Sequence, residues 1–120
     1  MKSDKELLVY VLGQIKILET YYKGKNEDEF LRDQILKDAC LLKLLVIGEY
    51  SSKISDKHKD RFSEIEWQLL KAARNFYAHA YGGITWVRIW ETLNEDIPKL
   101  KPKIENIIEV LEKEENAKIN

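Results

Sequence analysis

The sequence predicts an all-α domain, and three observations carry that prediction. Among 120 residues there are only five glycines and two prolines, too few to punctuate a chain of many short strands. Apolar residues recur at steps of three and four through most of the length, the period of a helix face. No stretch of useful length alternates apolar with polar residues as a half-buried strand would. The expected architecture is an up-and-down four-helix bundle with short connections, its last helix kinked or split at Pro98 and Pro102.

The first helix is expected from about Asp4 to Lys23. Leu8, Val11, Leu12, Ile15, Leu18 and Tyr22 fall on one stripe, and Leu7, Tyr10, Ile17 and Tyr21 make a second beside it. So wide an apolar surface suggests burial on more than one side. KGKNEDE is a polar break, and a second helix follows from about Asp28 to Ser52. Its centre, ACLLKLLVIGEY, is apolar nearly all round, as expected of a central helix or one shared with a partner subunit.

SSKISDKHKDR reads as a charged loop. Ser63-Glu64-Ile65-Glu66 fits the S-x-x-E capping box and would open a third helix, with Ile65, Leu69, Ala72, Ala73, Phe76 and Ala80 as its core stripe. Gly82-Gly83 would stop it. Thr85 is the candidate cap of the fourth helix, where Trp86, Trp90, Leu93, Ile97, Leu100, Ile104, Ile107 and Leu111 keep helical phase through both prolines. The chain reads as one domain, residues 1–120, with a tail fraying from about residue 113.

With 44% apolar and 34% charged residues, the composition is that of a soluble globular protein. A net charge of −1 supplies no global basic field, so nucleic-acid binding would need a local patch. The single cysteine, Cys40, cannot form an internal disulfide, and its apolar neighbours suggest a core thiol in a reducing compartment. MKSDKELLVY does not read as a signal peptide, and no apolar run approaches the roughly 18 residues of a membrane span. The expected location is cytoplasmic, with no membrane partner.

One stretch is chemically unusual. RNFYAHAYGG, Arg74 to Gly83, gathers an arginine, an asparagine, a histidine and two tyrosines before a double glycine. On a wheel of 100° per residue with Ile65 at zero, His79 falls at about −40° and Asn75 at about −80°, beside the buried stripe. Arg74 and Tyr81 fall at about 180° and 160°, nearly opposite. Arg74 and His79 therefore do not converge in one regular helix. Either the helix distorts before the glycines, or a two-fold partner brings a second copy across a cleft.

A guanidinium grips phosphate oxygens in a fork, and an imidazole moves protons near neutral pH. Together they suit attack of an RNA 2′-hydroxyl on its adjacent phosphate. A place in the last helical turn would favour protonated His79, whereas burial would oppose it. Spacing alone leaves a helix end with a structural histidine as an open alternative. His58, in KHKD, lacks a metal-ligand pattern and is expected in solvent. There is no Gly-rich phosphate loop, and neither metal nor cofactor is expected.

Arg74-Asn75-Phe-Tyr-Ala-His79-Ala-Tyr81 matches R-x4-H-x-Y, and in this the chain resembles the HepT-like branch of the HEPN superfamily. IGEYSSKIS is similar to that family's second-helix segment. The run from Ile65 to Leu100 resembles its succession of Trp, Arg-Asn…His-x-Tyr, paired tryptophans and a proline. The likeness covers about Ala39 to Leu111. A proline usual before the first tryptophan is missing from RFSEIEW.

The resemblance implies a dimerising helical bundle whose motifs face a shared cleft and cleave RNA without metal, as the toxin of a type II toxin–antitoxin system. Arg74 would bind phosphate, His79 would act as acid or base, and Asn75 would support them. Glu49 matches a family position, as catalytic support or as a buried polar anchor. The implied partner is an MntA-like nucleotidyltransferase antitoxin that transfers AMP to Tyr81. Lys53, Lys57, Lys59 and Arg61, with Lys71, would either steer RNA or form a solvated face, the commoner use of such a run. Two other readings stand beside this: a non-catalytic HEPN module that docks a nucleotidyltransferase and helps hold its substrate, and a plain structural bundle.

Overall fold

The structure, a computed structural model, describes residues 2–68, 70 and 83–119. It is all-α, with no strand among the described residues. Helix α1 spans Asp4–Tyr22. It opens on a capping box in which the Ser3 side chain accepts from the Glu6 N–H while the Glu6 side chain reaches back to the Ser3 N–H; that satisfies donors the first turn leaves open. Gly24 follows with φ 76°, a left-handed conformation that only glycine adopts without strain.

The second expected helix is two. Helix α2 spans Glu27–Arg32 and α3 spans Gln34–Ser52. Asp33 leaves helical geometry at φ −110° and ψ 97°, and its carboxylate accepts from the Leu36 N–H at 3.0 Å. An aspartate offering the backbone this alternative is a strong helix start. Asn26 and Glu29 form a second capping box at α2, and Phe30 from that short helix is fully buried.

The expected charged loop contains helix α4, Asp56–Arg61. The expected capping box at Ser63 does not form: residues 62–65 make a turn, helical backbone resumes at Trp67, and Leu70 N–H bonds the Glu66 carbonyl. Tertiary contacts override the local signal here. Ile65 and Trp67 are buried, the Trp67 Nε1–H donates to the Phe62 carbonyl, and the Lys103 ammonium donates to the Glu64 carbonyl. Most of the remaining expected third helix lies outside the described residues.

Beyond Thr85 a continuous rod comprises α5 (Trp86–Glu91), a π-helical turn (Thr92–Asp96) and α6 (Ile97–Ile119). Thr85 takes the cap position without a side-chain hydrogen bond. The expected stripe is sound: Leu93, Ile97, Leu100, Ile104, Ile107 and Leu111 are all buried. The expected frayed tail is helical through Ile119 and is tied down by Lys5–Glu115 and Arg61–Glu114 ion pairs.

Helix α1 lies between α3 and the α5–α6 rod and runs antiparallel to both. Tyr10 meets Tyr50 and Gln14 meets Lys43 on one side; Lys5 meets Glu115 and Glu19 meets Lys101 on the other. Leu8, Val11, Ile15 and Leu18 are wholly buried in consequence. Much of the broad apolar surface of α1 is thus covered inside one chain, while Ile17 of the second stripe and Val9 remain 41% and 47% exposed. On α3, Ile35 and Leu42 remain 83% and 58% exposed.

The irregularity expected at the prolines comes before them. Pro102 sits within unbroken α6. Ahead of Pro98, the Ile97 N–H bonds Thr92, five residues back instead of four. In that π register the Leu93 carbonyl faces residue 98, and proline has no N–H to donate. The Tyr22 hydroxyl fills the vacancy, donating to the Leu93 carbonyl at 2.7 Å. Burial is the main reason the Tyr22 phenol is pushed up to about 12, with the Glu19 charge adding to it.

Two substitutions test this. Tyr22→Phe leaves a part-buried carbonyl without its donor and lowers unfolding free energy by about 1–3 kcal/mol in denaturant titrations. In a Pro98→Ala background the new N–H can serve Leu93, so the same substitution costs measurably less.

Candidate functional site

Of the residues expected to carry chemistry, Lys71, Arg74, Asn75, His79 and Tyr81 lie outside the described residues. What the structure describes is how the two ends of that stretch are held. Upstream, the Trp67 indole is 7% exposed and bonds back to the Phe62 carbonyl at 3.1 Å. Downstream, Trp86 and Trp90 pack on Phe30 with ring centroids 6.4 and 5.1 Å away, and Trp90 meets Tyr22 edge-on at 6.2 Å. Such tilted and edge-on aromatic pairs add stability beyond the area they bury. The Lys37 ammonium lies 5.2 Å from the Trp86 ring centroid. The tryptophans bracketing the motif are therefore anchors.

Glu49 lies on α3, half-buried, and is not a free carboxylate. The basic set divides. Lys59 donates to the Ser52 carbonyl at the end of α3 at 2.9 Å. Arg61 forks onto Glu114, with its Nη1 donating to Oε1 at 2.9 Å and its Nη2 to Oε2. That hydrogen-bonded pairing holds the Glu114 carboxyl below the usual carboxylate range. Lys57 is exposed. Lys53 turns toward an aromatic pair, its Nζ 4.7 Å from the Tyr50 ring centroid.

Tyr10 and Tyr50 form that pair at 4.4 Å, tilted by 47°. The Lys2 ammonium lies 4.3 Å from the Tyr10 centroid and 5.5 Å from that of Tyr50. Sequence reasoning placed Tyr10 on the second stripe of the first helix. It had no means of joining it to a tyrosine forty residues away, because that pairing follows only from the antiparallel docking of α1 on α3.

His58 corrects an expectation. It is not free in solvent: its side chain is 19% exposed and its Nδ1–H donates to Asp4 Oδ2 at 2.5 Å. The Ser55 hydroxyl and backbone N–H donate to the same carboxylate. Asp4, in the first turn of α1, thereby gathers the start of α4. Burial works to raise its carboxyl, and the hydrogen bonds from Ser55 and His58 outweigh it, holding Asp4 below its ordinary range.

Among the described residues no three His, Cys, Asp or Glu side chains gather to hold a metal ion, and no helix there is long and apolar enough to cross a membrane. Cys40 is buried; burial, then the Asp33 charge, pushes its thiol up to about 12.

The described elements define an all-helical domain whose aromatic anchors flank an R-x4-H-x-Y sequence, and comparison with known proteins gives the class. Residues 11–107 match the family described as "Ribonuclease HepT-like". The chain belongs to that family. It is similar to a Thermococcus cleftensis protein named "Probable ribonuclease HepT", 32% identical over 106 residues that cover 88% of this chain and 96% of that one.

It is also 33% identical over 119 residues to a Methanocaldococcus jannaschii protein named "Gamma-glutamylcyclotransferase and putative RNase". The match takes in 99% of this chain but 54% of that relative, so the chain spans about half its length. A Caldanaerobacter subterraneus relative carrying the RNase name is 28% identical over 91% of this chain and 97% of its own. No solved structure matches the chain.

Two outcomes check the geometry. Asp4 has a folded value below that of the unfolded chain, so its stabilisation is full above pH about 4 and fades as pH falls through the folded value. The stability gap between the native protein and Asp4→Asn is therefore expected to be about 1–2 kcal/mol near pH 7 and to close on acidification. Cys40 is expected to resist aromatic disulfide reagents at pH 8 and to react once the chain is unfolded.

Proposed function

We propose that this protein is a HepT-type toxin, a metal-independent endoribonuclease acting as a homodimer. The observation that carries the reading is the family match over residues 11–107, which contains the whole of Arg74-x4-His79-x-Tyr81. The chemistry of that triplet supports it. Arg74 grips the non-bridging oxygens of the scissile phosphate in a fork that stays charged at any working pH. His79 takes the proton of the 2′-hydroxyl or returns one to the leaving 5′-oxygen. The P–O2′ bond forms, the P–O5′ bond breaks, and the products are a 2′,3′-cyclic phosphate and a 5′-hydroxyl.

A regular helix would separate Arg74 from His79 by about 140°. A two-fold partner answers this by presenting the Arg74 of one copy to the His79 of the other. Asn75, one helical turn before His79, supports its orientation. Tyr81 lies on the Arg74 face in the same projection. Transfer of AMP to its hydroxyl by an MntA-like nucleotidyltransferase would put phosphate charge beside Arg74 and bulk into the cleft, shutting the site.

The purified protein is expected to cleave cellular RNA in excess EDTA. His79→Ala and Arg74→Ala, with unchanged circular dichroism, are expected to lose at least about 100-fold in rate. Absence of cleavage of any cellular RNA by the unmodified protein would defeat the reading. Intact mass after co-expression with the antitoxin is expected to rise by one adenylyl group, and Tyr81→Phe to abolish the increase.

A further inference from the structure

We propose that Tyr10, Tyr50, Lys2 and Lys53 form a contact site for single-stranded RNA, built from residues outside the R-x4-H-x-Y motif. A base would stack on the tyrosine pair, and the two ammonium groups would take the flanking phosphates. The proposal rests on the ribonuclease reading and extends it by assigning where a strand is held besides the cleavage motif.

The two phenol rings are half-buried at the junction of the start of α1 and the end of α3. The docking of the helices fixes them at a 4.4 Å separation. Lys2 and Lys53 are exposed and lie on the rings. Neither makes an ion pair among the described residues, whereas the nearby cations Lys5 and Arg61 are bound to Glu115 and Glu114. Acidic residues stand close by. Glu6 is engaged in the Ser3 capping box, Asp4 by Ser55 and His58, and Glu112 lines an open groove with Lys2, Lys5, Glu6, Val9 and Tyr10.

Aromatic faces combined with mobile cations are how sequence-tolerant proteins hold single strands. Every base has a face to stack, and each lysine that meets a phosphate releases a counterion. An exposed cation–π contact is the weaker interaction, so a stacking base can displace a lysine from the ring and leave it free for phosphate. The same residues offer a local answer to how a chain of net charge −1 meets a polyanion: two cations outside the ion pairs are placed beside a half-buried tyrosine pair.

The test uses a fluorescent single-stranded RNA of about ten nucleotides with every 2′-hydroxyl methylated, which cannot undergo attack by that group. Affinity is read by anisotropy across a salt series for the full chain. Lys2→Gln/Lys53→Gln is expected to weaken binding at least tenfold and to flatten the log–log salt slope by about 1.4, two phosphate contacts at 0.7 each. Tyr50→Leu, with its fold checked by circular dichroism, is expected to weaken binding about five- to hundredfold with little change in slope. Lys99→Gln/Lys118→Gln, equal in lost charge, is expected to leave affinity unchanged.

Equal effects from the two lysine pairs would overturn the site. So would an undiminished affinity in Tyr50→Leu, or displacement of the RNA by polyglutamate at matched charge, which would mark an acidic protein partner instead. Cleavage of unmodified RNA by the wild-type chain is scored separately. Cleavage with no effect of these substitutions overturns the contact site alone, and a chain that neither binds nor cleaves RNA overturns the ribonuclease reading with it.

Discussion

The bond from the Tyr22 hydroxyl to the Leu93 carbonyl is the constraint on which the arrangement around the motif depends. In the π turn the Leu93 carbonyl faces Pro98, which has no N–H to donate, and the last residue of α1 supplies the donor instead. This fixes the rod α5–α6 against α1 at the point where Trp90 reaches Tyr22 and Phe30. Trp86 is four residues further up the same rod. The chain leaving the R-x4-H-x-Y stretch is thus received by a fixed aromatic platform. π turns inside helices are frequently found at functional sites.

At the opposite end of the molecule, a second constraint gathers α1, α4 and α6. Asp4 collects His58 and Ser55, and Arg61 grips Glu114. Together these bring the end of α3 against the start of α1, and the docking sets Tyr50 on Tyr10. The polar contacts do not form the core, which is apolar. They decide how far along α1 its partners sit, and so which surface residues meet.

What was legible in the sequence was what local chemistry decides. The Asp4 start of α1, the stripe from Leu93 to Leu111 and the all-helical class follow from period and phase. What failed was local signal outweighed by distant contact, and long-range pairing with no local signal. Ser3 and Ser63 both begin S-x-x-E, yet only Ser3 caps, because burial of Ile65 and Trp67 pulls the second segment into a turn. Asp33 breaks one apolar run into two helices, and an aspartate capping Leu36 could have been read as that signal. His58 looked solvated because its partner is 54 residues away. The motif itself was legible from residue types and the family resemblance, while the roles of its flanking tryptophans needed the packing.

In the proposed mechanism Arg74 and His79 act together, although a regular helix would place them about 140° apart, so each site would draw on two copies. Mixing inactive Arg74→Ala and His79→Ala proteins under conditions that exchange subunits tests this directly. If the site is shared, the mixed dimer carries one complete pair, Arg74 from one copy and His79 from the other, and regains RNA cleavage that neither parent shows. If exchange is verified by mass and the mixed dimer stays as inactive as its parents, the shared site is contradicted.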